Sequence, residues 1–266
     1  MTSTLFDLAI QYQLDERGVA TITLNRPDIH NAFDDTVIAA LTNAFTHAAN
    51  DPAVRVVVLA ANGKSFCAGG DLNWMRRMAG YNYDENLQDS NALADMLRTL
   101  NFLPKPTIAR VQGAAYGGGV GLVACCDIAV ASRNSAFCLS EVKVGLIPAT
   151  IGPYVVQAIG QRAARRYFTT AELISANTAH VLGLVSELVE PKELEAHVAN
   201  IVTNLLRNGP NAIAEAKRLV LDIAGREIDA AMIADTSERI AQTRGSDEGR
   251  EGLSAFLEKR KPNWIQ

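Results

Sequence analysis

A glycine-rich stretch, Gly113-Ala-Ala-Tyr-Gly-Gly-Gly-Val-Gly-Leu-Val-Ala-Cys-Cys-Asp127, constrains the fold of this chain more than any other segment. It follows the apolar run 107–111, which is typical of a buried strand. Five glycines within nine residues, followed by apolar residues, predict a sharp turn that leads into a buried helix. The first N–H groups of a helix lack partners within it and attract negative charge. The turn could therefore stabilise an oxyanion, or its glycines could only pack the helix against a sheet.

Composition sets limits on the class of protein. The 266 residues suffice for one large domain with a helical appendage, and the formal charge of −4 without a long basic run gives nucleic-acid binding little support. The four cysteines and four histidines have no metal-ligand spacing, so we expect buried reduced thiols and no metal site. No signal-peptide pattern and no membrane-spanning apolar run occur in the sequence, which favours a cytoplasmic location.

Periodicity predicts an α/β fold. Strands are expected over 6–14, 19–24, 54–59, 107–111, 127–131 and 185–189, and helices over 33–49, 72–78, 86–102, 178–182, 192–206, 211–224, 228–243 and 247–259, with a polar connection over 80–86. The strand and helix units recur with glycine loops at the strand ends, which suggests a core of repeated ββα units over 1–195. Helices dominate the region 196–266. Apolar residues over 230–240 indicate an oligomer face there, or simple packing on the core.

A second glycine loop and one glutamate complete the candidate site. Ala68-Gly69-Gly70 follows the strand over 54–59, so its N–H groups could converge with those of Gly117-Gly118-Gly119 in one crevice and form an oxyanion hole. Glu141 follows apolar residues, and such surroundings can raise the pKa of a carboxyl so that it serves as acid or base. The alternative is a glutamate that only caps its own backbone after Ser140.

Together these motifs resemble the enoyl-CoA hydratase/isomerase (crotonase) family. The resemblance rests on Ser65-Phe-Cys-Ala-Gly-Gly-Asp-Leu72, Gln112-Gly-Ala-Ala-Tyr-Gly-Gly-Gly119 and Ser140-Glu-Val-Lys-Val-Gly-Leu-Ile-Pro148, with Leu24-Asn-Arg-Pro27, Asn31-Ala32 and 251–260 at the two ends. It implies a crotonase-like spiral of repeated ββα units and a C-terminal helical region that builds trimers, often paired into hexamers. Coenzyme A would be part of the acyl-CoA substrate, and no separate cofactor is implied.

The resemblance also implies roles for individual residues. The oxyanion donors would be the N–H groups of Ala68 and Gly118, and Glu141 would transfer the proton at the substrate's alpha carbon. The substrate and CoA would lie along the loop formed by Ser65, Cys67, Ala68, Gly69, Gly70 and Asp71. Phe256 and Lys259 match positions that reach the CoA of a neighbouring subunit, although Lys259 could equally be a solvated charge at a helix end.

One position departs from the family pattern. Hydratases of the family commonly carry a second glutamate where this chain has Gly121. Either Glu141 performs both proton steps, another group such as Tyr116 orients the water, or the chain is a delta-isomerase that uses Glu141 alone. An RNA-binding or scaffold role and CoA-thioester decarboxylation or dehalogenation are further alternatives.

A subgroup resemblance bears on the substrate. Asp71-Leu-Asn-Trp-Met75, the segment 140–156 and Arg162-Ala-Ala-Arg-Arg-Tyr167 resemble bacterial 3-methylglutaconyl-CoA hydratases, which are close to enzymes acting on gamma-carboxygeranoyl-CoA. This subgroup also carries glycine at the position of Gly121, which favours hydration. A carboxylate on the acyl chain would need a cation, for which Arg76 and Arg77 are the hypothesis. Both arginines could instead face solvent.

Overall fold

A computed structural model describes residues 8–265 and contains two sheets. The strands are β1 (Ile10–Leu14), β2 (Val19–Leu24), β3 (Val56–Ala61), β4 (Thr107–Val111), β5 (Ala115–Tyr116), β6 (Ile128–Ser132), β7 (Ala136–Cys138), β8 (Ile174–Ser175) and β9 (Glu187–Val189). The larger sheet has the order β1-β2-β3-β4-β6-β9, with β1 antiparallel to β2 and the remaining pairs parallel. The smaller sheet has the order β5-β7-β8.

Helices follow most of the strands, in agreement with the α/β fold that the periodicity predicts. They are α1 (Asp35–Asn50), α2 (Leu72–Met78), α3 (Tyr83–Asn101), α4 (Gly118–Cys125), α5 (Gly152–Thr170), α6 (Ala176–Leu182), α7 (Leu194–Leu206), α8 (Pro210–Ile223), α9 (Ala230–Gly245) and α10 (Asp247–Leu257). Short 3-10 turns occupy Pro27–Ile29, Glu141–Val144 and Pro191–Glu193. No helix within 8–265 combines the length and the apolar character that crossing a bilayer requires.

The continuous apolar run of β3 is explained by packing on both faces of the sheet. Val57 and Leu59 point into the main core, whereas Val56 and Val58 point into a second cluster that includes Val198 and Val202 of α7, among others. A strand buried on both faces needs no polar alternation. Helix α7 therefore packs on the sheet, and the division placed at 195/196 falls inside this helix rather than between two packing units.

The helical C-terminal region is joined to the core by a partly buried ion pair. Lys217 of α8 has 10% of its side chain exposed, and its Nζ lies 2.9 Å from Oδ2 of Asp127, the residue that precedes β6. Beyond this contact, α9 and α10 present exposed apolar side chains, namely Ile233, Ile240, Leu253, Phe256 and Leu257. This single chain thus leaves the apolar face predicted over 230–240 uncovered.

Three expectations about the elements need correction. The connection predicted over 80–86 instead holds the start of α3, where Asn82 and Glu85 form a capping box. Helix α5 was not predicted, because Gly160 at φ +76° interrupts its helical spacing. The strands β5, β7 and β8 were not predicted because they are only two or three residues long. The first strand begins at Ile10, and residues 6 and 7 of the predicted span lie outside the described residues.

Candidate active site

The two glycine loops come together where the chain after β3 lies beside β5. Cys67 pairs with Ala115 in a parallel bridge, and the Tyr116 N–H donates to the Cys67 carbonyl over 2.8 Å. A Cβ atom on Gly69 would lie 3.2 Å from the Tyr116 oxygen, and Gly69 itself has φ +91°. Both the close approach and the left-handed backbone favour glycine at this position. The convergence expected from two strand ends is thus present.

Two backbone N–H groups in this crevice have no hydrogen-bond partner among residues 8–265. Gly118 is the first residue of α4, so its N–H has no acceptor within the helix. Gly70 pairs with Phe33 through its two neighbours, since Phe33 N–H donates to Gly69 O and Asp71 N–H donates to Phe33 O, each over 2.9 Å. The Gly70 N–H therefore faces away from Phe33 and is free to bind an oxyanion.

Ala68 was predicted to supply the first oxyanion donor, and its hydrogen bonding contradicts that assignment. Its N–H donates to the His30 carbonyl over 3.0 Å, which occupies the group that the prediction requires. The Ala68 carbonyl has no partner among the described residues, so Ala68 can still accept a hydrogen bond from a ligand. The donor pair that the geometry provides is Gly70 and Gly118.

Glu141 reaches the same crevice through the smaller sheet. β5 and β7 are parallel, and Gly117 N–H donates to Cys138 O over 2.9 Å, which places residue 141 beside the glycine turn. Oε1 of Glu141 lies 3.4 Å from the position that a Cβ on Gly117 would take, and Oε2 is buried without a partner among the described residues. Burial raises the pKa of the Glu141 carboxyl, and a hydrogen bond from its own backbone N–H partly opposes the shift.

The self-capping alternative for Glu141 explains part of this geometry. The carboxylate does contact its own N–H, and Glu141 begins the 3-10 turn, but Ser140 makes no side-chain capping bond. A capping role leaves one buried carboxylate oxygen unpaired, which is costly unless the site binds something else. The free oxygen is what an acid or base facing a bound substrate requires.

Gly121 lies in the interior of α4 and is covered by apolar side chains. A Cβ atom there would be 2.3 Å from Cγ2 of Ile151 and 3.3 Å from Cδ2 of Leu97. The space that a second glutamate would need is therefore filled by Ile151, which is itself 1% exposed. Glycine at 121 is thus accompanied by apolar packing against Ile151, a contact that local sequence does not reveal because the two residues lie 30 positions apart.

The side chains of Cys67 and Asp71 are buried within the loop, whereas that of Ser65 lies at its outer end. Asp71 caps α2 by accepting from the N–H groups of Asn73 and Trp74, and its other oxygen lies 3.3 Å from Arg26. The Cys67 thiol is buried, and burial raises its pKa to about 12. Oγ of Ser65 is 3.0 Å from Nδ1 of the exposed His30, at the outer end of the loop. Only Ser65 is open to a ligand through its side chain.

Phe256 and Lys259 lie far along the chain, on the exposed end of α10. Lys259 has φ +55°, and its N–H donates to Phe256 O while Arg260 N–H donates to Ala255 O. This is a Schellman termination, in which glycine is the preferred residue at the position of Lys259. A lysine retained in the left-handed region stores strain, and strained positions cluster at functional sites.

Comparisons with known proteins show the family to which this chain belongs. The family model described as enoyl-CoA hydratase/isomerase matches residues 15–266. The chain belongs to the enoyl-CoA hydratase/isomerase family. It is 32% identical over 253 residues to a crotonyl-CoA hydratase of Syntrophomonas wolfei, with 94% of this chain and 95% of that protein covered.

Solved structures of the enoyl-CoA hydratase/isomerase family superpose closely on this chain. An enoyl-CoA hydratase from Shewanella pealeana has a TM-score of 0.93 and 46% identity, with 96% of each chain covered. An enoyl-CoA hydratase from Mycobacterium smegmatis has a TM-score of 0.92 and 39% identity, with 98% of this chain and 100% of that chain covered. These similarities establish the crotonase fold over nearly the whole chain.

Proposed function

We propose that this protein is an enoyl-CoA hydratase that adds water across the 2,3-double bond of an acyl-CoA thioester. The observation that carries the proposal is the pair of N–H groups on Gly70 and Gly118, which have no partner within residues 8–265 and lie in the crevice that also holds the buried oxygen of Glu141. Donors aimed at a developing negative charge are commonly the largest single contribution to catalysis of this kind. Relatives of this chain carry the names enoyl-CoA hydratase and crotonyl-CoA hydratase.

In the proposed reaction the thioester oxygen accepts hydrogen bonds from Gly70 and Gly118. Glu141 takes a proton from water as the water oxygen bonds to C3, and the electron pair of the double bond moves to give an enolate at the thioester oxygen. The carboxylic acid then returns its proton to C2, and the enolate collapses to the saturated 3-hydroxyacyl thioester. One carboxylate suffices because it receives a proton in the first step and gives it back in the second. The packing of Ile151 against Gly121 supports such a single-carboxylate scheme.

Coenzyme A is proposed to enter along the outer end of the 65–70 loop. The carbonyl of Ala68 is a free acceptor for the amino group of adenine, and Ser65 and His30 are accessible at the same end. Lys259 is proposed to contact the CoA phosphates of a neighbouring subunit in a homotrimer or a dimer of trimers. The uncovered apolar side chains of α9 and α10 and the strained backbone of Lys259 support this assembly. The four free cysteines fit a cytoplasmic protein.

For the substrate we propose a branched, carboxylated acyl-CoA of the 3-methylglutaconyl type. Arg77 is the better candidate for the acyl carboxylate, because it follows Trp74 by three residues and shares its face of α2, whereas Arg76 does not. Arg77 already pairs with Asp35 at the surface, so a substrate carboxylate would have to compete with or join that pair. Arg76 donates to Asn73 over 2.7 Å.

The substrate experiment compares loss of the conjugated-thioester absorbance with 3-methylglutaconyl-CoA and with crotonyl-CoA. Fast loss with the first and slow loss with the second is expected. Arg77→Met should reduce the preference for the carboxylated substrate, and Arg76→Met is the matched control that should preserve it. An unchanged preference in Arg77→Met would remove the proposed carboxylate contact while leaving the hydratase assignment intact.

A delta-isomerase that uses Glu141 alone is the second candidate. It is favoured by the apolar cover of Gly121, because a site with one carboxylate can remove a proton at C2 and return it at C4 without water. Incubation with a 3-enoyl-CoA distinguishes the two activities: an isomerase yields the conjugated thioester, and its absorbance increases and persists. No loss of absorbance with either 2-enoyl-CoA, together with such an increase, would overturn the hydratase proposal.

A further inference from the structure

Two aromatic rings lie directly against the glycines that carry the proposed oxyanion donors. Cζ of Phe33 is 2.2 Å from where a Cβ on Gly118 would lie, and Cε3 and Cζ3 of Trp74 are 3.5 Å from the corresponding point on Gly70. The ring centroids of Phe33 and Trp74 are 6.2 Å apart at an interplanar angle of 47°. Both rings are at most 5% exposed. The crevice therefore has an aromatic wall beside each donor.

A hydrogen bond that the indole donates to a second helix fixes the orientation of Trp74. Nε1–H donates to Oδ1 of Asp89 in α3 over 3.0 Å, while the backbone N–H of Trp74 is held by Asp71 at the start of α2. Burial raises the pKa of the Asp89 carboxyl, whereas the bond from Trp74 opposes that shift. An indole held at its backbone and at its ring nitrogen cannot readily change rotamer.

The position of Trp74 along the loop indicates which part of the substrate it meets. The outer end at Ser65 is open to solvent, Gly70 offers its N–H to the thioester oxygen, and Trp74 follows on α2. A thioester that extends from the CoA end past Gly70 brings its acyl carbons to the Trp74 ring. Met75, whose Cγ is 3.6 Å from the same point on Gly70, adds an apolar contact.

We propose that Trp74 forms a wall of the acyl pocket and that Asp89, acting as a positioning residue, sets the size of acyl group the pocket admits. The inference rests on the proposed acyl-CoA substrate. Breaking the bond frees the ring to swing aside and enlarges the pocket, whereas an acceptor of the same shape keeps the ring in place. A change of one methylene in a pocket alters selectivity by roughly 10–200-fold.

The first test reads Trp74 directly, without turnover. The sequence has two tryptophans, so Trp264→Phe leaves Trp74 as the only indole fluorophore. Butyryl-CoA, a saturated thioester, is expected to quench or shift its emission, whereas free CoA is expected to leave it unchanged. An equal response to both ligands, or no response while calorimetry detects butyryl-CoA binding, would overturn the inference. If calorimetry detects no CoA thioester and no enoyl-CoA is hydrated, the proposed function itself fails.

The second test separates positioning from general damage. Asp89→Leu is expected to change the ratio of kcat/KM for crotonyl-CoA to that for 2-decenoyl-CoA by about tenfold, and Asp89→Asn, which keeps an acceptor oxygen, by less than about twofold. An equal loss with both chain lengths in Asp89→Leu would indicate a merely structural residue and contradict the proposal. The fluorescence titration repeated in Asp89→Leu should show a weaker acyl-dependent response.

Discussion

The packing of Gly121 against Ile151 leads to a quantitative prediction about how this site tolerates change. A methyl group at 121 would lie 2.3 Å from Cγ2 of Ile151, far inside van der Waals contact, and both residues are buried in the main core. Overpacking of this kind costs about 1–3 kcal/mol, which the better helix propensity of alanine offsets by about 1 kcal/mol. Gly121→Ala should therefore reduce the free energy of unfolding by up to about 2 kcal/mol.

Ile151→Ala should be destabilising in its own right, by about 2–5 kcal/mol, because it leaves a cavity beside α4. The double variant places the new methyl group into that cavity. The propensity contribution appears in both backgrounds and cancels, so the coupling free energy of the double-mutant cycle isolates the steric contact. We expect the double variant to be about 1–3 kcal/mol more stable than the sum of the single effects.

The assay is urea unfolding of the four proteins, with equal m-values as the condition for comparing them. Val202→Ala combined with Gly121→Ala is the matched control, because Val202 belongs to the other hydrophobic cluster and should behave additively. If the Gly121 and Ile151 variants were additive within about 0.5 kcal/mol, the steric explanation for the missing second glutamate would be refuted.

Three further predictions follow from the site and its supports. Glu141→Gln should abolish most turnover while preserving CoA-thioester binding. Because burial raises the pKa of the Glu141 carboxyl, its ionised form destabilises the fold, so the variant should be more stable than the wild type at neutral pH. This difference in stability should shrink as the pH falls and Glu141 becomes protonated. Equal stability at all pH values would contradict the buried ionised carboxylate. Lys259→Gly should be more stable than Lys259→Ala by about 1 kcal/mol, because glycine adopts the left-handed backbone at this position more readily than alanine. Both variants should raise KM for CoA thioesters, and an unchanged KM would exclude the phosphate contact. Lys217→Met should lower the free energy of unfolding by about 1–3 kcal/mol, because it leaves the partly buried Asp127 carboxylate without its cation. Further substitution of Asp127 by Asn should recover part of that loss.

The sequence alone determined which segments form the candidate site. Local composition identifies the glycine stretch at 113–121, the loop at 65–70 and Glu141. Glycines at a helix start and a carboxyl among apolar residues are both visible within a few consecutive residues of the sequence. The long periodic helices and the buried strand β3 were also readable locally. Resemblance to the crotonase family extended this to the overall spiral, which the comparisons confirm.

Only the tertiary structure decided which groups in those segments are free to act. Ala68 and Gly70 are both small residues of one loop, yet the Ala68 N–H donates to the His30 carbonyl. The pairing of Phe33 with Gly69 and Asp71 instead directs the Gly70 N–H away from Phe33. The filling of Gly121 by Ile151 and the fixing of Trp74 by Asp89 likewise join residues distant in the chain. Hydrogen-bond partners and packing distances depend on which strands lie side by side, and no local pattern of residues encodes that arrangement.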